Sequence, residues 1–123
     1  MAEPVTAGGY LRMRREAAGV TLPEVARIYA RNALGAAAAE LMLGEAENNL
    51  IPLGEPAINR LREIFAFAAD IYLDLAAGLP PPDLCRICAC SWNDPCEDGG
   101  HGCAWLDASH TICTACQRKA LAA

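Results

Sequence analysis

At 123 residues with seven cysteines and a formal net charge of −5, the chain has room for one domain, or one small domain plus a metal-held module, and its acidic balance argues against general nucleic-acid coating. Hydrophobic residues make up 54% of it and aromatics only 6%; with alanine so frequent, closely packed helices are favoured over sheets. No apolar run approaches the roughly 18 residues of a membrane span, and Met1-Ala2-Glu3-Pro4 carries no basic or apolar signal region, so a cytoplasmic protein is expected.

Gly8-Gly9 precedes a first helix expected over residues 10–18, with Leu11 and Ala18 inward, Arg12, Arg14 and Arg15 mainly outward, and Gly19 as its end. Thr21 followed by Pro23 and Glu24 has the form of a capping box, and opens a second helix over 22–29 that buries Leu22, Val25, Ala26 and Tyr29. A third helix is expected over 33–43. Residues 44–54, rich in Asn, Glu and Pro, are expected to be a loop. Pro56 then opens the longest helix, over 56–77, where Ile58, Leu61, Ile64, Phe65, Ala68, Ile71, Tyr72 and Leu75 keep helical spacing. A break near residues 69–70 would make five helices. Gly78 followed by Leu79 and three prolines stops the helix and forces an extended, stiff connection. The expected organisation is therefore a helical domain over 1–78, a Pro-rich linker over 79–84 and a Cys-rich module over 85–123.

All seven cysteines fall in that last segment. Cys85-x-x-Cys88 and Cys113-x-x-Cys116 are separated by 24 residues and bracket Cys90, Cys96 and Cys103. An odd number of thiols without a secretory signal argues against a disulfide framework. A C-x-x-C turn sets two thiolates on one side of a tight loop, and two such knuckles supply the four soft ligands of tetrahedral zinc. Cys85, Cys88, Cys113 and Cys116 form the strongest candidate site. Cys90, Cys96 and Cys103 can hold a second zinc with His101 as fourth ligand, or one cysteine can bridge two ions. An iron–sulfur cluster also suits cysteine ligands. His101 sits among Gly99, Gly100 and Gly102, where a solvated loop histidine is the competing reading, and His110 reads as a surface residue. Trp92 and Trp105 are expected to cover the knuckles.

The opening helices carry a resemblance. The run Leu11-Arg12-Met13-Arg14-Arg15-Glu16-Ala17-Ala18-Gly19-Val20-Thr21-Leu22-Pro23-Glu24-Val25-Ala26 resembles the start of the lambda-repressor-like (Cro/CI-type) helix-turn-helix family. Glu47 is similar to the glutamate that family carries after its recognition helix, and Ala57-Ile58 to Ile64-Phe65 resembles its closing helices. The resemblance covers residues 8–78 and implies a mainly α fold, a helix-turn-helix-like bundle followed here by a small Cys-rich zinc-binding module. It also implies DNA binding, with Arg12, Arg15, Arg27 and Arg31 on phosphates and Asn32 near the bases. The stretch matching the recognition helix, from Ala33 to Met42, departs from the family: it has no base-reading Arg or Gln, and Glu40 would repel phosphate. The cysteine segment, Cys85-Arg86-x-Cys88-Ala89-Cys90 through Gly102-Cys103-x-Trp105 to Cys113-x-x-Cys116, resembles the tails of small uncharacterised phage and prophage proteins, with Ala89 in place of their usual glycine.

No pattern of nucleophile and base or phosphate-binding loop stands out, so an enzyme with a small-molecule substrate is not expected. The first functional expectation is a prophage-type DNA-binding transcriptional regulator with one or two structural zinc ions. The second is a protein–protein interaction adaptor on the same scaffold, and the third an iron–sulfur redox sensor. The apolar stretches 36–39, 41–43 and 50–53 exceed what a small bundle buries, so a homodimer through helical surfaces is expected.

Overall fold

The computed structural model describes residues 5–80, 83–85, 87–91, 97–98, 101–105 and 112–117, with only the backbone described at 97–98 and 101–102. Among these the fold is mainly helical: α1 (Ala7–Ala17), α2 (Leu22–Ala30), α3 (Ala33–Glu47), α4 (Glu55–Arg62) and α5 (Ala69–Ala76). A minimal antiparallel hairpin follows, β1 (Glu97–Asp98) against β2 (His101–Gly102), with Glu97 opposite Gly102 and Asp98 opposite His101. A helical turn over 114–117 carries the last cysteine. No helix among the described residues is long and apolar enough to cross a membrane.

Helix α1 starts three residues earlier than expected, because Thr6 caps it by accepting from the Gly9 amide at 3.0 Å. Glycine is required at position 8 by a close approach: a Cβ there would overlap the carbonyl oxygens of Ala46 and Glu47 at the end of α3. Asn49 locks that crossing. Its Oδ1 accepts from the Gly8 amide at 2.8 Å and its Nδ2 donates to Thr6 Oγ1 at 3.0 Å. The capping box at Thr21 and Glu24 forms as expected. Arg31, in the left-handed region with φ 65°, ends α2, and Asn32 immediately caps α3 by accepting from the Gly35 amide at 2.6 Å.

The third helix does not stop at residue 43 but runs on to Glu47. A glycine inside a helix costs about 1 kcal/mol, and burial of Ala39, Leu43 and Ala46 on one face carries the helix through Gly44. The expected long helix is broken, and over 63–68 rather than at 69–70. Phe65 and Phe67 are both buried, with ring centroids 5.4 Å apart. Residues two apart in a helix point to opposite sides, so both rings reach the core only if the helix gives way. The backbone groups released there find partners: the Ala68 amide donates to Tyr10 Oη at 2.9 Å, and the Ala66 carbonyl accepts from Arg14 Nε at 3.0 Å.

Arg14 therefore corrects the sequence expectation that it faces outward. Its spacing from Leu11 puts it on the inner face of α1, and it is 5% exposed. Ala18, expected inward, is exposed beside the left-handed Gly19. The other inward positions of α2, α4 and α5 are buried or half-buried. The core gathers Tyr10, Leu11, Val25, Leu43, Ile58 and Tyr72, and it also takes in Ala89 from between the cysteines. The cysteine segment is thus packed onto the bundle.

Candidate metal centre and the outer face of α3

Four sulfur atoms converge at the end of the chain. Cys85, Cys88, Cys113 and Cys116 are all buried, and their Sγ atoms lie within 4.8 Å of one another. Cys85 and Cys116 are 3.7 Å apart, and Cys88 and Cys113 3.8 Å. Four ligands at about 2.3 Å from a tetrahedral ion stand about 3.8 Å from each other, whereas a disulfide requires about 2.05 Å. The group has the spacing of ligands around one ion, and it can hold a metal.

Local structure explains the convergence. In the first knuckle the Ala89 amide donates to the Cys85 carbonyl at 2.9 Å, and the Cys85 amide to the Cys90 carbonyl at 3.0 Å. This tight turn needs a left-handed residue, and Ala89 supplies it at φ 60°. The amides of Ile87 and Cys113 donate to Cys85 Sγ at 3.4 and 3.5 Å and fix its direction. The second knuckle opens the helical turn at 114–117. Trp105 pairs with Cys113 in a single antiparallel bridge, the Thr114 amide donates to the Ala104 carbonyl at 2.8 Å, and the Ala104 amide to Thr114 Oγ1 at 3.1 Å. Burial pushes the Cys113 thiol up to about 12 and raises Cys116 as well, desolvation being the largest cause for each. Such thiols stay protonated unless a cation takes the proton's place.

Two further expected ligands join this neighbourhood. Cys90 and Cys103 lie 3.6 Å apart, and both are within 4.8 Å of Cys113 Sγ. Trp105 packs half-buried against the cysteine cluster, as expected, together with Ala17 of α1. Trp92, Cys96 and His110 lie outside the described residues, and the backbone alone is described at His101. Sequence reasoning missed Arg14, whose Nη1 donates to the Cys88 carbonyl at 3.0 Å while its Nε holds Ala66. The signal for it is the three-residue spacing from Leu11, which places Arg14 on the inner face of α1 despite its charge.

The residues expected on DNA fall into distinct settings. Arg15 forms a two-pronged ion pair with Glu47, Nε to Oε2 at 2.8 Å and Nη2 to Oε1 at 3.0 Å, and both side chains are nearly buried. Donating to the Glu47 carboxylate raises the Arg15 pKa above its ordinary value. Arg15, expected on phosphate, is held by Glu47 against the bundle. Arg12 pairs with Glu16 one turn away on the surface, at 2.9 Å. Asn32 spends its side-chain oxygen on the cap of α3. Arg27 and Arg31 are exposed. The outer face of α3 itself presents Leu34, Ala37, Ala38, Glu40 and Leu41, with Leu34 88% and Leu41 67% exposed. No family model, curated protein or solved structure matches the chain.

Proposed function

We propose that the chain is a prophage-type regulator on a repressor-like helix-turn-helix scaffold, braced by structural zinc, that works by protein association rather than by catalysis. The first partner is a second copy of itself. The outer face of α3 carries this reading. Where a base-reading helix needs polar side chains that reach base edges, α3 offers the exposed stripe Leu34, Ala37, Ala38 and Leu41. The stripe reads the same in both directions. About a twofold axis at residues 37–38, Leu34 meets Leu41 of the second copy and Ala37 meets Ala38. A surface that complements itself in this way suits an isologous dimer, and each leucine it buries contributes about 1.5–3 kcal/mol.

The scaffold assignment is supported by the Arg15–Glu47 ion pair, which joins two of the residues that carry the family resemblance. Zinc is supported by the sulfur spacing. In an iron–sulfur cluster the cysteines are spread over several irons, whereas these four thiolates crowd together as around one ion. Four thiolates also leave no open coordination position for a reacting water, as fits a structural ion.

DNA binding is the second reading, favoured by the exposed Arg27 and Arg31 at the junction of α2 and α3. The experiment pairs light scattering with fluorescence anisotropy on mixed genomic DNA at low salt, using the full zinc-loaded chain. A dimer that Leu34→Glu with Leu41→Glu converts to a monomer, without DNA binding, supports association. A monomer that binds DNA, with affinity lost in Arg27→Ala/Arg31→Ala, establishes the second reading instead.

A further inference from the structure

Cys113 belongs to both sulfur groups. It stands with Cys85, Cys88 and Cys116 in one and with Cys90 and Cys103 in the other, and within each group every Sγ lies within 4.8 Å of the rest. The two groups share no other residue. From this we infer that the module holds a dinuclear centre in which the Cys113 thiolate bridges two metal ions.

The chemistry allows it, because a thiolate sulfur has lone pairs enough to bind two cations at once. With Cys113 shared, the six described cysteines supply four ligands to the first ion and three to the second. The backbone is built to deliver this second group. The hydrogen bond from the Cys85 amide to the Cys90 carbonyl, 3.0 Å, turns Cys90 back over the first knuckle. The Trp105–Cys113 bridge and the hydrogen bonds between Ala104 and Thr114 fasten the segment carrying Cys103 beside the second knuckle. The 3.6 Å between Cys90 and Cys103 is again the spacing of two ligands on one tetrahedral ion. Cys90 is 2% exposed and Cys113 1%. A set of neutral buried thiols would not need three separate backbone elements to aim them at one point. The ion in the second group ties the hairpin segment to the knuckles, whereas the ion in the first ties the knuckles to each other.

The inference rests on metal occupancy of the four-thiolate site, and the experiment separates the two. The full chain, purified and reconstituted with zinc(II), is weighed by native mass spectrometry, then exchanged with cadmium-113 and observed by NMR. Two zinc ions per chain are expected, falling to one in Cys90→Ser/Cys103→Ser. The two cadmium resonances are expected to be split by coupling through the shared sulfur. One zinc in the parent chain, or two cadmium signals without mutual splitting, overturns the bridge while leaving the four-thiolate site standing. No bound metal at all overturns both. The cadmium measurement uses the unaltered chain, so a variant that fails to fold does not decide the matter.

Discussion

Arg14 donates to two carbonyl oxygens that lie outside the helices and strands, one at the break between α4 and α5 and one in the first knuckle. Hydrogen bonds from a charged donor to buried acceptors contribute about 1.5–3 kcal/mol each, and an acceptor stripped of its donor keeps its desolvation cost. Arg14→Met keeps the stem and removes the donors. It is expected to lower stability by about 2–4 kcal/mol, read by urea unfolding of the zinc-loaded chain, and to speed zinc loss to a chelator. Unchanged stability would mean that other groups satisfy both carbonyls. Arg15 and Glu47 call for a different experiment. Either alone, changed to alanine, leaves a nearly buried charge behind and is expected to cost about 3–5 kcal/mol. The double variant is expected to cost clearly less than the sum, and a double-mutant cycle measures the difference. At this scale the sequence was only partly legible. The cysteines could be read directly, because only a few chemistries use so many thiols so close together. The inward placement of Arg14 could be read from its spacing to Leu11, but the partners of Arg14 and Arg15 could not, because they are carbonyls and a carboxylate tens of residues away.

Helix boundaries were legible wherever a local group decides them. Thr21 with Glu24, and Gly78 at φ 82°, mark ends that the adjacent residues fix. They were not legible where tertiary packing decides. Gly44 is crossed because the next turn buries Ala46, and the run from Pro56 is cut because two phenylalanines compete for the same core. Helical spacing alone favours continuity in the second case, since it counts Phe65 and never weighs Phe67. The crossing of α1 over the end of α3 supplies a prediction at this level. Gly8→Ala inserts a methyl group into backbone oxygens that no rotamer change can move. It is expected to destabilise the bundle by about 1–3 kcal/mol, the usual cost of overpacking, or more if α1 must shift. Thermal unfolding followed by circular dichroism would check it, with Gly9→Ala as the milder companion, since its new methyl would meet only the Thr6 hydroxyl.

For the whole molecule, the two-part organisation expected from the Pro-rich run has to accommodate contacts that cross it. Ala89 is fully buried in the core of the helices, and Ala17 of α1 packs against the cysteines. Metal removal is therefore expected to act on both parts. Chelation should release the knuckles while most helical circular dichroism persists at low temperature, because α1 to α5 keep most of their own core. The melting temperature of that helical signal should nevertheless fall, and a helical transition indifferent to chelator would show that the two parts are energetically separate.

The Arg14 bridge to the Cys88 carbonyl has a thermodynamic corollary. A ligand that binds only the folded knuckle stabilises whatever is folded together with it, by about 1.4 kcal/mol for each tenfold rise in free ligand above its dissociation constant. Through Arg14 and Ala89, the bundle shares in that linkage. The free metal concentration then becomes a variable of helix stability, and linkage runs both ways: anything that clamps α1 in place tightens the hold on the metal by the same factor.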